Sequence, residues 1–182
     1  MSNICNSLVE YMITRQIIDK NKKEIYLYGM QLAIYKIAYA LIILSMCFIL
    51  KRSLLNLLLF YCSYMSIRKY SGGYHAPNIQ LCMLIFAVTY YLLDWFMLLF
   101  SNVNIYLIIL ISIILIFLIY QKSPCDCENK RLNEREKEKY KKCTIYVSFI
   151  WLVILILFSF IKLPNYLTIL YTYFSIYIFL LI

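Results

Sequence analysis

Long apolar runs divided by short polar breaks set the plan of this 182-residue chain. Ile25 to Leu50 and Ile79 to Phe100 are full-length membrane spans, since about 20 apolar residues cross the hydrocarbon. Ile105 to Tyr120 and Thr144 to Ile161 are further spans. Leu54 to Ile67 is short for a crossing, and Tyr166 to Ile182 is at the short end. The pattern predicts an all-α integral membrane protein, a bundle of about six transmembrane helices. Residues 3 to 19 place Ile4, Leu8, Met12 and Ile18 near one helical face, with Glu10, Arg15 and Asp19 elsewhere. This predicts an amphipathic N-terminal helix within residues 1–24, lying on the cytoplasmic leaflet or packed on the cytoplasmic end of the bundle. Residues 101–104 and 162–165 read as turns. Residues 121–143 form a long basic loop, within which Asn133 to Lys142 sets acids and bases at helical spacings, a solvated extension of the next span.

Composition agrees with this plan. Hydrophobic residues make up 64% of the chain, against roughly 45–50% in soluble domains. No linker separates a second unit, so residues 1–182 read as one domain. The net charge of +9 would suggest nucleic acid in a soluble protein, but here the bases sit between apolar runs. With a cytoplasmic N-terminus and six spans, Arg15, Lys20, Lys22, Lys23, Arg68, Lys69, Lys122 and the seven bases from Lys130 to Lys142 fall inside. Only Lys51, Arg52 and Lys162 fall outside. The positive-inside rule favours that orientation, a multi-pass cell-membrane protein with both termini cytoplasmic. The partners this charge suits are the lipid bilayer and acidic peptide segments, not nucleic acid. No cleavable signal peptide is visible in the first 24 residues. Lys36 interrupts the first span and is a functional candidate by location; Asp94, the other intramembrane charge, is its natural partner.

Seven cysteines are present, an odd number, most of them near the cytoplasmic face, where thiols stay reduced. Cys125-x-Cys127 with Cys143 lacks the usual zinc spacing, so neither metal nor cofactor is expected.

The chemistry concentrates between Arg68 and Cys82. Two of the three glycines, one of the three prolines and the single histidine fall there. A Cys thiolate is a nucleophile for acyl transfer, and an imidazole can take its proton. In one continuous helix His75 and Cys82 would stand about 10.5 Å apart along the axis, beyond hydrogen-bond reach. Gly72-Gly73 and Pro77 argue that the helix is broken. Pro77 and Asn78 suit the start of a new helix, with Cys82 one turn in, where the positive end of the helix dipole favours an anion. Around this pair, Gly73 permits the backbone turn. Arg68 either holds substrate or marks the inner membrane boundary. Gln80 is a candidate oxyanion donor or an ordinary first-turn polar residue. Asp126 either orients His75 or is a solvated loop residue.

Arg68-(six residues)-His75-Ala76-(five residues)-Cys82, with Gly72-Gly73 before the histidine, resembles the signature of the AgrB family, the accessory gene regulator membrane endopeptidases of Gram-positive quorum sensing. Length, hydrophobic profile and the loop Lys122 to Lys130 resemble that family too. Where its members often carry a proline after that lysine, this chain has Arg131. The resemblance implies a membrane cysteine endopeptidase acting on an AgrD-like propeptide. Cys82 would attack on the C-terminal side of the future signal, with His75 as base and then acid. The resulting thioester would be closed by an internal Cys or Ser into a thiolactone or lactone. A homodimer is left open. The rival reading is a membrane transporter or exporter of a signalling peptide with no chemistry of its own.

Overall fold

A computed structural model describes residues 2–49, 51–74, 78–125 and 132–181. Its elements are helices: α1 (Ser2–Thr14), a 3-10 turn (Lys20–Lys22), α2 (Lys23–Ile49), α3 (Leu54–Ser71), α4 (Ile79–Phe100), α5 (Ile105–Lys122), α6 (Glu134–Phe160) and α7 (Tyr166–Leu181). Among the described residues no strand forms, and four helices, α2, α4, α5 and α6, are long and apolar enough to cross a membrane. α4, α5 and α6 leave Leu92, Trp95, Leu98, Leu99, Ile113, Phe117, Phe149 and Val153 exposed. So continuous an apolar surface belongs in lipid.

The chain packs as two units, residues 1–51 and 52–182. In the first, α1 packs on α2, and Lys23 bonds Glu10 at 3.1 Å. The amphipathic helix is shorter than the sequence pattern suggests. It ends at Thr14, and Gln16 takes a left-handed φ of 57°. The buried side chains are Cys5, Val9 and Ile18, whereas Leu8 is exposed.

In the second unit α7 is the hub, in contact with α3, α4, α5 and α6. Its position follows from its polar side chains. Thr172 shares a hydrogen bond with Ser63 of α3 at 2.8 Å. Thr168 donates to the Asn56 side-chain oxygen Oδ1 at 3.1 Å, and the Asn165 side-chain amide donates to the same oxygen. Tyr171 donates to the Thr89 carbonyl at 2.6 Å, and Tyr173 to the Ser148 carbonyl at 2.7 Å. In hydrocarbon such groups have no water to bond, so they join helices to one another.

α3 also differs from the short run expected. It continues through Arg68 and Lys69 to Ser71 as an 18-residue helix, about 27 Å at 1.5 Å per residue. It runs antiparallel to α4: Arg52, just before it, pairs with Asp94 at 3.0 Å, Phe60 packs on Tyr90 and Phe86, and Tyr64 on Phe86. The partner of Asp94 is therefore Arg52. Arg52 also donates to the Tyr90 and Tyr91 carbonyls and lies 4.4 Å from the Tyr91 ring centroid. The helical extension before the last polar break forms as expected: α6 begins at Glu134, and the Asn133 amide donates to Glu136 at 3.1 Å, a capping-box bond.

Candidate functional site

The break between α3 and α4 is built from three parts of the chain. α3 ends at Ser71, and the Gly72 amide bonds the Arg68 carbonyl at 3.1 Å. Gly72 has φ 72° and Gly73 φ 113°, backbone that residues with a Cβ rarely adopt. Space excludes a side chain as well. A Cβ on Gly72 would lie 2.7 Å from the Cys125 carbonyl oxygen, and one on Gly73 would lie 3.0 Å from the Phe179 carbonyl oxygen.

Those two neighbours hold the break in place. The Cys125 amide donates to the Ser71 carbonyl at 3.0 Å, and the Tyr74 amide donates to the Phe179 carbonyl at 2.9 Å. The second bond satisfies a carbonyl in the last turn of α7, which has no partner within its own helix. Two residues before Cys125, the buried Ser123 shares a hydrogen bond with Thr144 of α6 at 3.2 Å. The ends of α3 and α7 and the segment leaving α5 thus meet here.

Arg68 lies across the junction. One guanidinium nitrogen donates to the Tyr64 hydroxyl and another to the Tyr74 carbonyl. Its central carbon is 5.3 Å from the Tyr64 ring centroid and 5.2 Å from that of Phe179. A planar fork with several fixed donors suits such a two-ended clamp. The sequence offered Arg68 as a substrate anchor or boundary marker. Its bonds tie one helix to the residue immediately before His75.

α4 restarts the chain where the sequence places a new helix. Asn78 is extended, with φ −120° and ψ 140°. Ile79 is the first helical residue, and the Cys82 amide closes the first turn on the Asn78 carbonyl at 3.1 Å. The Cys82 thiol is free and partly exposed. The amides of Ile79, Gln80 and Leu81 precede it, in the turn whose N–H groups lack intrahelical partners. Gln80 is exposed, and at two residues' separation it stands on a different helix face from Cys82. His75 and Asp126 lie outside the described residues.

Sequence reasoning missed Tyr64, Tyr74, Cys125 and Phe179. Tyr64 and Arg68 are an i,i+4 pair, so one signal was present: an aromatic hydroxyl and a guanidinium on one helix face. Cys125 and Phe179 act through main-chain atoms, which leave no residue-type signal.

A partly exposed thiol at a helix start, after a fixed double-glycine break, can serve as a nucleophile toward a carbonyl. No curated protein and no solved structure matches the chain. The family model described as Accessory gene regulator B matches residues 4–182. The chain therefore belongs to the AgrB family, membrane proteins of the agr quorum-sensing system.

Proposed function

We propose that the protein is a membrane cysteine endopeptidase that matures an AgrD-like propeptide into a cyclic autoinducing peptide. The observation that carries this reading is the placement of Cys82: in the first turn of α4, partly exposed, directly after the double-glycine break.

His75 takes the Cys82 thiol proton, and the thiolate attacks the scissile carbonyl on the C-terminal side of the future signal. The sulfur–carbon bond forms as the carbonyl π pair moves onto oxygen. Collapse breaks the carbon–nitrogen bond, and His75 returns its proton to the departing amine. The N-terminal part of the propeptide rests on Cys82 as a thioester. An internal Cys or Ser then attacks that carbonyl, closing a thiolactone or lactone ring and releasing the Cys82 thiol. Shielding from bulk water protects the thioester until the ring closes.

Gly73 allows the chain to pass against the end of α7. Arg68 holds Tyr74 and so sets the entry of the chain into His75. In the bilayer, both termini and the basic segments face the cytoplasm, where a ribosomally made precursor arrives, and the Lys/Arg-rich loop receives its acidic part.

Co-expression with a candidate AgrD-like propeptide, followed by mass spectrometry, tests the proposal. Wild type should release the C-terminal fragment, and Cys82→Ala and His75→Ala should not. Cleavage persisting in both variants would refute it.

A further inference from the structure

The two antiparallel helices of the site keep a regular register. Arg52 meets Asp94 and Tyr90, Phe60 meets Tyr90 and Phe86, and Tyr64 meets Phe86 at 5.6 Å between ring centroids. Each turn forward on α3 is one turn back on α4. Cys82 is one turn before Phe86 and on the same face, so the same register sets it level with Arg68, one turn beyond Tyr64 on α3. The Tyr64 hydroxyl reaches that level through its bond to the Arg68 guanidinium.

The chemistry of Tyr64 is determined by its neighbour. The side chain is 3% exposed, and its ring packs on Phe60, Phe86 and Phe179. A guanidinium only donates hydrogen bonds, so Tyr64 is the acceptor in its bond to Arg68. Its own proton is not used there. A phenol whose oxygen accepts from a cation is a stronger donor through that proton, because hydrogen bonds in a chain polarise one another. Attack by Cys82 on a carbonyl creates negative charge on the carbonyl oxygen, which fixed donors in a dry site stabilise best.

We propose that Tyr64 is a catalytic residue, its hydroxyl donating a hydrogen bond to the oxyanion formed when Cys82 attacks the propeptide, with Arg68 as the positioning residue that fixes and polarises it. No proton is transferred in this contact; the bond strengthens as charge builds on the oxygen and weakens as the carbon–nitrogen bond breaks. This rests on the reading of Cys82 as the nucleophile.

The test is single-turnover acylation of full-length protein in membrane vesicles, using the AgrD-like propeptide, for wild type, Tyr64→Phe and Cys82→Ala. Alkylation of Cys82 by iodoacetamide is followed alongside as a measure of an intact site. Tyr64→Phe keeps the ring and its packing. It should slow acylation by about 100-fold, leave KM and the pH profile unchanged, and leave the alkylation rate within about twofold. Acylation within about threefold of wild type, with Cys82→Ala inactive, overturns the role of Tyr64 alone. Alkylation and acylation falling together show a structural role and overturn it too. Cleavage by Cys82→Ala overturns both this proposal and the reading beneath it. Should Tyr64→Phe not accumulate in the membrane, 3-fluorotyrosine at position 64 carries the test. It should change the acylation rate more than twofold at constant alkylation, and an unchanged rate overturns the proposal.

Discussion

Gly72 and Gly29 are the same residue type in opposite circumstances. Gly72 combines a positive φ with a carbonyl oxygen 2.7 Å from where a Cβ would sit, while Gly29 is helical with nothing within 4 Å. Gly72→Ala should therefore cost roughly 1–3 kcal/mol from the backbone conformation alone. The displaced Cys125 backbone adds to this, and propeptide processing should fall at least tenfold. Gly29→Ala should be neutral or stabilising by up to about 1 kcal/mol, because a helix interior prefers alanine. Denaturant unfolding of the two variants in the same detergent checks both. At the other end of α3, Arg52 pairs with Asp94 at 3.0 Å. Arg52 keeps its carbonyl partners and the Tyr91 ring when the carboxylate is lost. Asp94→Asn should thus cost less than Arg52→Ala by the same unfolding assay. The double-glycine break was legible in the sequence because glycine is rare in this chain and its conformational freedom is a residue property. What the glycines accommodate was not legible, because main-chain atoms of Cys125 and Phe179 arrive from distant parts of the chain.

At the scale of elements, the apolar runs marked where helices form, and Asn78 and Asn133 marked where α4 and α6 begin. One element ran longer than the pattern suggested, and another carries more polar contacts than its run showed. α3 seemed to stop at Ile67, since Arg68 and Lys69 look like a boundary, but Tyr64 and Tyr74 supply partners for the Arg68 guanidinium and the helix runs on to Ser71. α7 looked like one more span at the short end. Its Thr168, Thr172 and Ser175 are buried, which a tally of apolar residues counts as weakness rather than as glue. The bond between Ser63 and Thr172 should show a coupling energy of about 0.6 kcal/mol in a double-mutant cycle with Ser63→Ala and Thr172→Val. Additive effects would mean that the two hydroxyls find equal partners elsewhere. Tyr173→Phe removes the donor to the Ser148 carbonyl and should cost about 1 kcal/mol in the same unfolding measurement.

Across the whole molecule, membrane character was legible from composition alone, because the bilayer demands long apolar runs whatever the packing. The sequence singled out His75, which lies outside the described residues, and Cys82, which stands at the start of a helix as the glycine, proline and asparagine pattern required. The clamp at the break was not legible, since Tyr64, Arg68, Tyr74 and Phe179 converge only when α3 and α7 pack. The charge distribution predicts an orientation that can be measured. Cys125, exposed beside the break, should react with a membrane-impermeant maleimide in inside-out vesicles and resist it in intact cells, judged in a variant that keeps Cys125 and replaces the other cysteines. Labelling from outside would reverse the topology and remove the site from the compartment where the precursor is made. The central claim is that Cys82 carries the peptide as a thioester. Incubating the purified protein with a propeptide whose ring-forming Cys or Ser is replaced by alanine should trap that species. Intact-protein mass spectrometry should then show a mass gain equal to the N-terminal fragment less water, on Cys82, released by hydroxylamine and absent from Cys82→Ala. Cleavage of that propeptide with no adduct on wild type, or an adduct retained in Cys82→Ala, would contradict the account.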